Sequence, residues 1–294
     1  MYRLVNDAFL AMRPHQWVKN ILVFAPLMLS YKFLNTELII YAFLAFVAFS
    51  LTASGLYIIN DLLDIEADRA HPTKRNRPFA AGRLSKNWGI GQSVVVLILA
   101  FGIASYLNTQ FLATLFIYAI LSASYSFKLK KVVLLDVSIL AVLYTLRIIA
   151  GTFATSLDLS YWLIVFSIFI FTSLAMVKRV SELYNLKIQG KEEVGGRGYT
   201  VQDHEIMSAL GSSSGFVSVL VLALYIHDPI TVQRYTHPEW LWIIVPSILY
   251  WIGRVWIIAH RGQMNEDPVI FAVHDKVSYL ILLFIAVGVS LAIK

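Results

Sequence analysis

Residues 38–60 read LIIYAFLAFVAFSLTASGLYIIN, an unbroken run without one charged side chain. A helix needs about 20 mostly apolar residues to cross the hydrocarbon core of a bilayer, so this stretch predicts a membrane span. Directly after it the character reverses. Asp61, Asp64, Glu66 and Asp68 appear first, then Arg69, Lys74, Arg75 and Arg77. Further apolar runs lie at 20–36, 88–107, 109–127, 132–152, 160–178, 207–227, 239–258 and 277–293. The expectation is an all-α, polytopic membrane protein of about nine transmembrane helices, forming a single transmembrane domain over 1–294.

Composition agrees with that class. Hydrophobic residues make up 58% of the 294 positions and charged ones 14%, with a mean hydropathy of +0.69, too apolar for an ordinary soluble domain. The net charge of +6 sits in short loops between apolar runs rather than in one patch, which argues against a nucleic-acid partner and for the lipid bilayer. Twenty of the 24 Lys and Arg fall on the side shared by the N-terminus and every second loop. By the excess of basic residues in cytoplasmic loops, that side is cytoplasmic. The expected localisation is the cytoplasmic membrane, with the N-terminus and active site on the cytoplasmic face. Arg13-Pro14-His15-Gln16-Trp17 precedes the first apolar run without a signal-peptide pattern, so the chain reads as mature throughout. The absence of cysteine excludes disulfides, thiolate catalysis and zinc–cysteine sites.

The strongest chemical signal lies where residues 38–60 leave the membrane. At 100° per residue, Asn60, Asp61, Asp64 and Asp68 occupy an arc of about 100° on one helical face. Oxygen donors crowded in this way suit magnesium, which commonly bridges carboxylates to substrate phosphates. Asn60, Asp61, Asp64 and Asp68 are therefore the expected metal ligands, with Asp61, Asp64 and Asp68 as catalytic residues. The competing reading is a solvated acidic helix end, or carboxylates paired with the nearby Arg and Lys. Within the stretch His71–Gly82, Lys74 and Arg77 are candidates to clamp a phosphate.

Two further features stand out. At Lys178-Arg179-Val180-Ser181-Glu182-Leu183, helical spacing gives Lys178, Glu182, Asn185 and Gln189 one face within about 60°. One acid and two bases there suit a second phosphate, or else a juxtamembrane anchor with an internal Lys178–Glu182 pair. Arg147 falls inside an apolar run, where a charge is costly unless paired or solvated. Asp136 shares its helical face, but lies about 16 Å away along the axis, too far to pair. Either Arg147 faces a substrate phosphate or it pairs with a residue elsewhere. The scattered histidines show no metal-ligand spacing.

Asn60-Asp61-x-x-Asp64-x-x-x-Asp68, followed by Lys74-Arg75-x-Arg77-Pro78 and Ala81-Gly82, resembles the first signature of the UbiA prenyltransferase superfamily. The resemblance covers nearly the whole chain. It implies a helical bundle around a central cavity open to the cytoplasmic side. Tyr125 and Lys130 stand where such proteins carry a tyrosine and a lysine, one residue further apart than the common pattern. Most prenyltransferases of the superfamily have a second aspartate-rich motif where this chain has Lys178, Arg179 and Glu182. Those residues, the Arg197-Gly198-Tyr199-Thr200 segment and His71-Pro72-Thr73-Lys74-Arg75 resemble the decaprenyl-phosphate phosphoribosyltransferase branch.

That resemblance implies transfer of 5-phosphoribose from 5-phosphoribosyl-1-diphosphate to a polyprenyl phosphate, dependent on magnesium and releasing diphosphate. It also suggests that the product feeds cell-envelope biosynthesis. Lys74, Arg77, Tyr125, Lys130, Arg147, Lys178, Arg179, Glu182 and Tyr199 are its expected substrate-binding residues. The alternative within the superfamily is an aromatic prenyltransferase that joins a prenyl diphosphate to an acceptor such as 4-hydroxybenzoate. A transporter of anionic lipid is the non-enzymatic alternative, and the charges clustered at the membrane edge argue against it. Asp267-Pro268 and His274-Asp275-Lys276 also resemble the branch, but solvated loop charge is the expected reading. Oligomeric state is open, a homo-oligomer included.

Overall fold

The computed structural model describes all residues except 1, 31, 189, 191–196, 234, 265–266 and 294, together with the side chain of Tyr2. Among the described residues the chain is helical: α1 (Tyr2–Ala11), a 3-10 helix (Pro14–Phe24), α2 (Ala25–Met28), α3 (Thr36–Leu63), α4 (Ile65–Ala70), α5 (Lys86–Leu107), α6 (Thr109–Phe127), α7 (Leu135–Ala154), α8 (Tyr161–Ile188), α9 (His204–His227), α10 (Pro229–Val232), α11 (Ile244–His260), α12 (Pro268–His274) and α13 (Lys276–Ile293). The chain divides into two compact units, residues 1–127 with 146–159, and residues 128–145 with 160–294.

Eight helical stretches among the described residues are long and apolar enough to cross a membrane. The first expected span, 20–36, is not one of them. It begins instead as an 11-residue 3-10 helix, followed by a single α turn at Ala25–Met28. Pro26 sits in the first turn of that α segment, where a missing N–H costs no intrahelical bond. What holds the tighter helix is α3. Trp17 Nε1 donates to Ser54 Oγ at 3.0 Å, Asn20 Nδ2 donates to Ser50 Oγ at 3.1 Å, and the Phe24 ring lies 6.0 Å from that of Phe46. These partners descend α3 as the segment advances, so it runs antiparallel to α3. A 3-10 helix rises about 2 Å per residue, and eleven residues therefore cover about 22 Å.

In the first unit, α3 presents small residues to its neighbours. Ala42, Ala45, Ala48 and Ser54 are fully buried, and a Cβ on Gly55 would stand 2.7 Å from Leu97 of α5. Small faces of this kind let helices approach closely where lipid gives no hydrophobic drive to associate. Gly151 makes the closest approach, since a Cβ there would lie 2.0 Å from the carbonyl oxygen of Val23 in the 3-10 helix. Asp7 of α1 accepts from Arg83 Nε at 2.8 Å, and the Ala8 carbonyl accepts from Gln92 at 2.8 Å. These bonds fix α1 at the end of α3 that carries Asp61.

In the second unit, α8 runs ten residues beyond its expected end at 178 and so carries Arg179 and Glu182 on a continuous helix. It packs against α9 and α11 through Gly211, whose missing Cβ leaves room for Trp256 and Met176. Trp256 Nε1 donates to Ser173 Oγ at 3.0 Å.

Candidate active site

α3 ends at Leu63, and Asp64 leaves the helical repeat with φ −96° and ψ 13° before α4 starts. The ladder is bent rather than cut, because the Asp64 amide still donates to Asn60 at 3.0 Å and the Asp68 amide to Asp64 at 2.8 Å. Asp61 and Asp68 are 2% and 3% exposed. Their carboxylates converge on one atom, Arg77 Nη1, at 3.2 and 2.6 Å. Arg13 also grips Asp61. Asn60 and Asp64 are half-buried.

The structure brings two of the four expected ligands together. Asp61 and Asp68 meet, but among the described residues no three carboxylates or histidines close into a metal cage. Two guanidinium groups stand where a cation is expected, so without metal the carboxylates pair with nearby arginines. The donor set still fits magnesium, which usually takes one or two carboxylates and completes its octahedron from water and substrate phosphate.

Arg77 is held by its neighbours in sequence. Phe79 is buried in a cluster with Ala11, Ile58, Ile65 and Leu84, and Arg69 Nε bonds the Ala80 carbonyl at 3.1 Å. Lys74 lies in an exposed 3-10 turn nearby. Arg13 was legible in the sequence only as a cytoplasmic charge. It adopts a left-handed conformation, φ 53°, at the junction of α1 and the 3-10 helix, a region costly for a side-chain-bearing residue. Its guanidinium stacks 4.9 Å from the Tyr57 ring.

Arg147, 7% exposed, bonds two neutral side chains. Nε donates to Asn20 Oδ1 at 2.8 Å and Nη2 to the Tyr118 hydroxyl at 2.9 Å, while the guanidinium lies 4.8 Å from the Tyr118 ring. Tyr125 is half-buried near the end of α6.

The second unit gathers the other candidates. Arg179, 1% exposed, donates from Nε to Asp136 Oδ2 at 2.6 Å and from Nη1 to Glu182 Oε2 at 2.7 Å. The Tyr199 hydroxyl donates to the other Asp136 oxygen at 2.5 Å and accepts from the Leu134 amide at 2.8 Å. Leu134 has φ 62°, so Tyr199 satisfies the backbone at a strained position. Burial, and then the hydrogen bond to Asp136, push the Tyr199 phenol well above its usual pKa. Arg197 lies 3.7 Å from both Asp136 and Glu182. Arg179 and Tyr199 thus brace this network, and Glu182 is its more exposed member.

Lys178 Nζ bonds Asp267 Oδ2 at 3.2 Å, and the Tyr144 hydroxyl lies 3.4 Å from Asp267 Oδ1. The Lys178 side chain is 35% exposed and that of Asp267 only 11%. Lys130 is half-buried in a 3-10 turn, and Asn185 is exposed on α8. Gln189 lies outside the described residues. The reading of Asp267 and Asp275 as solvated loop charge is corrected, because both are enclosed by partners. Asp267 caps α12 through the Val269 amide at 3.2 Å. Arg254 grips Asp275 with two bonds of 2.7 and 2.9 Å, and Ser278 donates to it from both amide and hydroxyl at 2.8 Å. Burial raises the Asp275 pKa, but the bonds from Arg254 and Ser278 outweigh it and hold the carboxyl below its usual range.

Comparison with known proteins places these features in a wider context. The chain is 35% identical to nodulation protein NoeC of Azorhizobium caulinodans over 95% of this chain and 90% of that one. It is 38% identical to the uncharacterized protein y4nM of Sinorhizobium fredii over 96% of this chain but only 55% of the relative's length. Decaprenyl-phosphate phosphoribosyltransferase of Mycobacterium tuberculosis is 37% identical over 62% of this chain and 61% of that protein. In fold it is similar to a UbiA homolog from Archaeoglobus fulgidus bound to GPP and Mg2+, with a TM-score of 0.69 at 18% identity, covering 97% of this chain and 99% of the other. It is also similar to a digeranylgeranylglyceryl phosphate synthase, with a TM-score of 0.70 at 17% identity and 99% of each chain covered. The family model described as UbiA prenyltransferase family matches residues 21–280, and the chain belongs to that family.

Proposed function

We propose that this protein transfers 5-phosphoribose from 5-phosphoribosyl-1-diphosphate to a polyprenyl phosphate. In the transfer, the bond from the anomeric carbon to the diphosphate oxygen breaks. A bond from that carbon to an oxygen of the lipid phosphate forms, and diphosphate leaves with the electron pair. The observation that carries this reading is the composition of the α8 face. Lys178 and Glu182 stand where a second metal-binding acid pair would be expected, and Asp267 pairs with Lys178. Such a face suits a polar phosphorylated sugar better than a second metal-bound diphosphate. The relative named decaprenyl-phosphate phosphoribosyltransferase supports it.

In this reading Asp61, Asp64 and Asp68, with Asn60, would hold magnesium beside the donor's diphosphate end. Magnesium there supplies charge neutralisation to the leaving diphosphate. Arg77 and Arg13, beside these carboxylates, would offer donors to the diphosphate oxygens, with Lys74 at the exposed edge. Lys178 and Lys130 serve the sugar-phosphate end of the donor. Arg179 and Tyr199 keep Glu182 in position, Tyr125 lines the approach, and Arg147 fixes the 3-10 helix through Asn20. The acceptor phosphate is already ionised and needs no strong general base. The basic residues near α1 and after α3 favour the cytoplasmic side for this chemistry.

The test is incorporation of labelled 5-phosphoribosyl-1-diphosphate into organic-extractable lipid by purified protein with magnesium and mixed polyprenyl phosphates. Label in the lipid phase, lost on chelation, is the expected result. No label, with prenylation of 4-hydroxybenzoate from a prenyl diphosphate instead, would move the protein to the aromatic branch.

A further inference from the structure

Asp267 is the one carboxylate in the second unit reached by both a lysine and a tyrosine hydroxyl among the described hydrogen bonds. Its two partners come from α7 and α8, 123 and 89 residues away in sequence. Tyr144 and Asp267 are each held by a further contact. The Tyr144 ring stacks on Phe171, with centroids 4.9 Å apart and planes at 19°, and Asp267 is held by capping α12. A charged cluster maintained in this way has a cost in an apolar protein, and a hydrocarbon substrate would give it nothing to do.

The chemistry of the cluster is not that of a simple anion site. A carboxylate 3.2 Å from Lys178 Nζ offsets most of the attraction that the ammonium would exert on phosphate. Together, however, a carboxylate that accepts, an ammonium that only donates and a phenol that does both match the needs of vicinal hydroxyl groups. The Tyr144–Asp267 contact of 3.4 Å is also long for an O–H···O bond, whose usual length is about 2.7–2.8 Å. A sugar hydroxyl that donates to Asp267 would replace a weak bond by a stronger one.

Building on the phosphoribosyl reading, we infer that Asp267, with Lys178 and Tyr144, recognises the ribose hydroxyls of the donor and so selects ribose over deoxyribose. Asp267 is then a specificity residue that accepts from the ring hydroxyls. Lys178 keeps its remaining donors for the sugar-phosphate end.

The test compares labelled 5-phosphoribosyl-1-diphosphate with its 2-deoxy and 3-deoxy analogues, using the full chain, magnesium and polyprenyl phosphate in detergent. Wild type should prefer the ribose donor over at least one analogue by about 10- to 100-fold in kcat/KM, the range of a hydrogen bond to a charged group. Asp267→Asn, which retains a good helix cap, should reduce that preference to within about threefold and leave the KM for the lipid unchanged. Tyr144→Phe should weaken the preference by several-fold, and it carries the same test if Asp267→Asn is inactive or unfolded. Ribosyl transfer with an undiminished preference in the variants, or no preference in wild type, overturns the inference and leaves the phosphoribosyl reading standing. No transfer from any of the three donors by wild type overturns both.

Discussion

Arg179 Nε lies 2.6 Å from Asp136 Oδ2, and the two side chains are 1% and 0% exposed. Removing one partner of such a pair strands a charge in surroundings that solvate it poorly, at a cost of about 3–5 kcal/mol. Arg179→Ala and Asp136→Ala should therefore each lower the detergent melting temperature markedly. The double replacement Arg179→Met, Asp136→Leu should be more stable than either single variant, because it removes both buried charges together and leaves the more exposed Glu182 near Arg197. A double variant that melts below both singles would refute this account of the pair.

The acidic bend gives a functional counterpart. Asp61→Asn and Asp64→Asn should abolish turnover while the protein remains folded and monodisperse, with Asp61→Asn melting lower than Asp64→Asn because Arg13 and Arg77 lose a charged partner. Full activity in both variants would remove the metal role assigned to that cluster.

Lys178→Ala should raise the apparent KM for the phosphoribosyl donor far more than that for the lipid. Steady-state kinetics with each substrate varied in turn decide the matter, and equal effects on both would detach Lys178 from the donor.

Gly151 offers a steric test that is independent of chemistry. A methyl group there meets the Val23 carbonyl oxygen, and backbone cannot swing aside as a side chain can. Gly151→Ala should cost about 1–3 kcal/mol by overpacking. Gly91→Ala, where no atom lies within 4 Å of the added carbon, is the control and should be neutral or slightly stabilising.

The Arg254–Asp275 pair predicts a pH dependence. The folded carboxyl titrates below its unfolded value, so its stabilisation is present at neutral pH and is lost as pH falls through the folded pKa. Asp275→Asn should melt lower than wild type at pH 7. The gap should close only below the ordinary carboxylate range, and melting curves across an acid series will reveal it. A constant gap down to the lowest pH would assign the effect to packing alone.

Local pattern made part of this legible in the sequence. The apolar run that ends in Asn60 and Asp61 marked both α3 and the carboxylates at its end, and Arg77 was legible beside them because it follows the acids closely. Arg13 was not, since 48 residues separate it from Asp61 and no spacing rule spans that distance. The same limit hid Asp136 as the partner of Arg179 and Asp267 as that of Lys178. The cost of burying Arg147 was evident, but not that neutral Asn20 and Tyr118 would meet it. Hydropathy found residues 20–36 apolar, yet it carries no information on whether i→i+3 or i→i+4 bonds close the backbone. The bend at Asp64 escaped for a related reason, because helical-wheel reasoning assumes a straight axis.

The 3-10 helix also bears on the order of events during synthesis. His15, Gln16, Lys19 and Asn20 lie within it, and a lone stretch of this geometry has poor hydrogen bonds. It has little reason to enter lipid by itself. Ser50 and Ser54, the residues that receive Asn20 and Trp17, are translated some thirty residues later. The N-terminal stretch therefore gains these polar partners only once α3 has been made, and its 3-10 geometry is set by packing on α3 rather than before it.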